Sequence, residues 1–151
     1  MNPATLQRGT HALFSLLAIR APIEDDLQHQ LRTGMRATIE LLRTGHAENK
    51  HMASLIEWVA VTRAMIKPPV YAEALIPTVA AGLAVQNILD AYATRKVWRI
   101  TCLRDLDDLN AWLPWFEAMV AAANKWEINA AAQAAEKTIR AATRAAQEPR
   151  K

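Results

Sequence analysis

Cysteine, serine and glycine are scarce in this chain, and each shortage removes a class of protein. The single cysteine, Cys102, cannot close an internal disulfide. That excludes a disulfide-stapled scaffold and fits a reducing compartment. Two serines, Ser15 and Ser54, leave a serine nucleophile few candidates. Four glycines form no phosphate-cradling loop of either common type. No apolar run approaches the ~18 residues of a bilayer span, and Met1 to Thr5 lack the basic start of a signal peptide. The expectation is a cytoplasmic protein that does not enter a membrane.

Alanine is abundant instead. It supplies 30 of the 151 residues and is the best helix former, which points to an all-α chain. The length suits one domain with a core of its own. Twelve arginines against six lysines, with the alanine excess, suggest a GC-rich bacterial genome or a mobile element within one. The net charge of +3 is mild but unevenly spread. Residues 101–124 carry Arg104 against Asp105, Asp107, Asp108 and Glu117, and the remainder is basic. Contact with nucleic acid is permitted by this balance and not required by it.

Periodicity predicts about six helices in a single-domain bundle, residues 1–151, with a long C-terminal helix and no sheet. Leu6, Leu13, Leu16 and Leu17 mark an N-terminal helix within 2–20. Residues 22–67 read as a helical hairpin. Its first arm has Pro22 and three acids at the start, then Ile23, Leu27, Leu31, Met35, Ile39 and Leu42 on one face. Gly45 closes that arm as a C-terminal glycine does. The second arm carries Met52, Leu55, Ile56, Val59, Ala60 and Ile66 and stops at Pro68-Pro69. A helix over 70–96 is expected to kink at Pro77, with Ile76, Val79, Ala80, Leu83 and Ile88 on its apolar face. Val97 to Leu103 has β-branched residues and a hint of period two. A lone strand has nothing to pair with, so this stretch reads as a helix end or connector. Asp105 then looks like an N-cap for helices over 105–147. From Trp115 to Gln147 no glycine or proline intervenes, so one helix of about 50 Å is expected to project from the body.

Constellations that could carry chemistry are thin. His46 and His51 stand five apart, which turns them about 140° from each other on a helix, whereas helical zinc ligands stand four apart. The acid clusters sit at helix starts, where they stabilise the helix. No catalytic residue, metal or cofactor is therefore expected. Two surfaces remain. Trp112, Trp115, Met119 and Trp126 fall on one stripe if the helix is continuous, and are the expected partner-binding residues. Ile128, Ala132, Ala135, Ile139 and Ala142 form a small-residue seam suited to self-association. Across from it, Lys137, Arg140 and Arg144 could touch phosphates. The reading from sequence is a non-enzymatic helical interaction or regulatory module of a bacterium or mobile element, such as a phage or plasmid inhibitor or accessory factor. It binds a protein partner and forms a homo-oligomer, a dimer. The alternative is a nucleic-acid-binding accessory protein using its basic C-terminal helix.

Overall fold

A computed structural model of the chain describes residues 24–148. The N-terminal helix expected within 2–20 lies outside them. Among the described residues the protein is all-α, with five helices rather than about six and no strand. They are α1 Asp25–Thr44, α2 Asn49–Met65, α3 Leu75–Arg95, α4 Leu103–Ala122 and α5 Lys125–Gln147, with a 3-10 turn at Ala72–Ala74 leading into α3.

The hairpin forms at α1 and α2. Asp25 and Asp26 occupy the first turn of α1, and Met35, Ile39 and Leu42 bury its apolar face. Gly45 ends it at φ 79°, a left-handed conformation that a side chain resists. A Cβ there would also lie 3.3 Å from Cδ of Arg99. The start of α2 accounts for one of the two histidines: the Glu48 amide donates to Nδ1 of His51 at 2.9 Å, so this histidine caps a helix. No simple stripe marks α2. Met52, Leu55, Glu57, Trp58, Val59, Val61 and Thr62 are all buried, because α5 packs along one side of it, α3 along another, and α1 and α4 also touch it.

Its neighbours meet at a hydrogen-bonded tryptophan. Trp112 on α4 is fully buried, and its indole N–H donates to Thr62 Oγ1 at 3.0 Å. That hydroxyl donates onward to the Trp58 carbonyl at 2.9 Å. Phe116 stacks on Trp112 with ring centroids 5.2 Å apart and meets Trp58 edge-on at 5.3 Å.

Several boundaries differ from expectation. Pro77 causes no kink; it sits in the first turn of α3, where its missing N–H has no helical partner to lose. Asp105 is not the N-cap. The helix begins at Leu103, and Asp105, 3 % exposed, accepts a hydrogen bond from Asn87 Nδ2 at 3.0 Å. Pro114 stays inside α4 without ending it.

Residues 97–102 form a non-helical connector between α3 and α4. Trp98 and Ile100 are buried while Val97, Arg99 and Thr101 are exposed, so the period of two is real. The pairing group is the hairpin turn. Trp98 bridges Ala47, and the Ile100 amide donates to the Leu42 carbonyl at 2.9 Å. The Trp98 ring stacks on Tyr92 at 3.6 Å, and its N–H donates to Asn49 Oδ1 at 2.7 Å.

The single long C-terminal helix is also corrected. It breaks at Ala123–Asn124, where Asn124 Oδ1 accepts the Glu127 amide at 2.8 Å and Glu127 Oε2 accepts the Asn124 amide at 3.1 Å. This reciprocal capping box starts α5 afresh. Ile128, Ala131, Ala132 and Ala135 are buried, but from Arg140 to Glu148 every residue except Thr143 is exposed.

Replacing Thr62 by Val keeps the side-chain shape and strands a buried indole N–H. It is expected to cost about 1–3 kcal/mol, read as a lower urea midpoint at unchanged slope.

Candidate functional site

The four residues of the tryptophan stripe are not gathered on one exposed surface. Trp112 and Met119 are fully buried, Trp115 is half-buried against Ile66, Ala74 and Met119, and Trp126 is exposed. The break at Asn124 puts Trp126 on a different helix from the other three. The small-residue seam is divided in the same way. Ile128, Ala132 and Ala135 are buried within this chain, where α5 lies along α2, while Ile139 is half-buried and Ala142 exposed. Small side chains suit that close approach. Lys137, Arg140 and Arg144 are exposed as expected, and Arg140 pairs with Glu136 at 2.5 Å one turn away.

His51 and Ser54 line a cleft of about 320 Å³ between α1 and α2, with Leu31, Thr38, Lys50 and Trp58. His51 Nδ1 is occupied by the Glu48 amide, and Lys50 stands 3.6 Å from the Glu48 carboxylate. The cleft therefore brings together no nucleophile activated by a base. Among the described residues no three histidine, cysteine or acidic side chains converge on a point that could hold a metal ion.

The apolar face expected on α3, Ile76, Val79, Ala80, Leu83 and Ile88, is split by the structure, and only Ile88 of these is fully buried. Ile76, Val79 and Leu83, at steps of three and four, are 81 %, 46 % and 62 % exposed. Val70, just before the helix, is 57 % exposed. Thr78, Ala81, Ala84, Val85 and Ile88 turn inward instead. That inward side lies against α4 and α2, while Ile76, Val79 and Leu83 face outward. The helix therefore has two apolar faces and one neighbourhood to bury them in. By length and composition Ala72–Arg95 is also the one stretch among the described residues long and apolar enough to cross a membrane. This corrects the expectation that no stretch approaches that length.

Charge adds a second unusual feature. Glu57, on α2, is 8 % exposed with Oε1 lacking any hydrogen-bond partner. Burial pushes its carboxyl up to about 7, with the Glu136 carboxylate on α5 adding to the rise. On the surface, by contrast, Arg36 on α1 grips Glu117 on α4 with two hydrogen bonds of 2.6 and 2.9 Å, and the Glu117 carboxylate raises the Arg36 pKa further.

Comparison of the chain with protein-family models, curated proteins and solved structures gives no match.

The Glu57 carboxyl holds its proton to about pH 7 in the folded chain, against an ordinary value of 4.5. The folded state thus binds more protons across that window, and stability falls as pH rises through it. Replacing Glu57 by Gln is expected to leave stability unchanged near pH 4 and to raise it by up to about 3 kcal/mol at pH 8. Denaturant melts at the two pH values read the difference; an equal effect at both would assign the gain to packing.

Proposed function

We propose that this chain is a non-enzymatic helical interaction module that presents α3 to a protein partner. The observation that carries the reading is the exposed row Ile76, Val79 and Leu83 on a domain whose other large apolar side chains are mostly buried. An apolar row at helical spacing suits a partner that lays its own apolar helix or groove against it. Isolated exposed apolar residues are ordinary, but a contiguous row marks a contact site more often. The absence of an activated nucleophile in the α1–α2 cleft gives an enzymatic reading less to stand on.

The proposed setting is the cytoplasm of a bacterium, with the chain or its genetic context of mobile-element origin. Composition supports that setting and geometry adds nothing to it. Self-association is part of the proposal only through α3, because Ile128, Ala132 and Ala135 are already buried in the chain.

Ile76→Glu and Leu83→Glu are expected to fold as the wild type does, since both positions are mostly exposed. Each is expected to weaken partner capture from a host extract by at least roughly tenfold, as loss of a central apolar anchor does. Light scattering on the wild type and both variants reads whether the partner is a second copy. Capture and oligomeric state unaffected by either charge would sink the proposal.

A further inference from the structure

Trp58, Trp98 and Trp112 are all buried, and one of the three lacks a hydrogen-bond partner. Trp98 donates its indole N–H to Asn49 Oδ1, and Trp112 donates to Thr62 Oγ1. Trp58, 2 % exposed, donates to no group among the described residues. A buried indole N–H ordinarily has an acceptor. The space that Trp58 borders is the cleft of about 320 Å³ between α1 and α2. Thr38, 4 % exposed, lines the same cleft, and its hydroxyl also makes no hydrogen bond among the described residues. Thr62, Thr138 and Thr143 instead donate to a carbonyl one turn back. Two buried donors therefore border one cavity with nothing in the chain to receive them.

A glycine keeps that cavity open. Gly34 lines it from the middle of α1. Its backbone is ordinary helix, and a Cβ built there would meet nothing within 4 Å. Neither conformation nor close packing calls for glycine at this position, although glycine weakens a helix interior. What the missing side chain leaves is the cleft.

The lining sorts into an apolar wall and a set of donors. Leu31 and Met35 of α1 form the wall together with the Trp58 ring. Ser54, Lys50 and His51 join Trp58 and Thr38 as polar groups. The Glu48 amide occupies Nδ1 of His51, which leaves the proton of the neutral ring on Nε2, a donor. Lys50 Nζ stands 3.6 Å from the Glu48 carboxylate, beyond hydrogen-bond range, so its donors are available too. None of the lining residues is acidic. Donors without an acid, one of them cationic, beside an apolar wall suit an anion with an apolar body.

We infer that the α1–α2 cleft binds a small monocarboxylate with a compact apolar body, an aromatic or branched-chain acid. Its oxygens accept from the unpartnered donors, and its body rests on Leu31 and Met35. The site lies on other helices than the α3 row and does not depend on the docking reading.

Sodium benzoate and sodium isovalerate, with benzylamine as the charge-reversed control, test it on the isotopically labelled full chain by NMR. The five indole N–H groups report separately. At least one carboxylate is expected to shift the Trp58 signal saturably, with half-saturation at about 1 mM or below. The Trp98 and Trp112 signals, whose acceptors lie within the chain, are expected to stay in place. Benzylamine is expected to bind at least roughly tenfold more weakly than benzoate, since it meets donors and a like charge. Gly34→Leu fills the cleft and favours the helix, so it is expected to melt no lower than the wild type and to abolish the Trp58 shift. A Trp58 signal that neither carboxylate moves, or that moves without saturating, overturns the inference. Equal binding of benzylamine overturns the ligand class, and a shift that survives in Gly34→Leu overturns the site.

Discussion

A tryptophan N–H buried in an apolar interior must find an acceptor, and in this protein the acceptor is one threonine hydroxyl. Trp112 reaches Thr62, and Thr62 in turn reaches the Trp58 carbonyl. An indole N–H left unpaired there loses its water with nothing in return. The bond therefore sets the register of α4 on α2 as well as contributing energy. Trp58, Trp112 and Phe116 interlock around it, and the other helices are arranged about α2 because that is where the largest buried side chains are.

The same central position explains why a carboxyl is held away from water. Glu57 belongs to α2, and α5 lies along that helix through alanines and Ile128. Small residues let two backbones approach closely, which leaves an acid between them little room for solvent. A second acid, Glu136, faces it from α5, so the docking of α5 is set by apolar contact against an electrostatic cost. The last turns of α5, beyond Ile139, lie outside that contact and are exposed.

α3 shows the opposite imbalance. Its inward face is built from Thr78, Ala81, Ala84, Val85 and Ile88, and its outward face keeps Ile76, Val79 and Leu83. A helix that is apolar on both sides, in a bundle that covers one, leaves a surface whose free energy falls when something covers it.

Local signals were enough for the helical class, the hairpin turn at Gly45 and the stop at Pro68-Pro69, because propensity, proline and a left-handed glycine act within a few residues. The capping box at Asn124 and Glu127 was equally local and was overlooked, since it lies inside a run of good helix formers. The connector at Trp98 was visible as a period of two, but its pairing with Ala47 and Leu42 was not, since those residues lie some fifty positions away. Tertiary structure alone decided which of two apolar faces turned inward: on α4 the core took Trp112 and Phe116, and on α3 it took Ala81, Ala84, Val85 and Ile88 and left Ile76, Val79 and Leu83 out. Periodicity along a helix records that a face is apolar. Whether a neighbour covers that face depends on how closely other helices approach, and that distance is set by side chains far away in the chain.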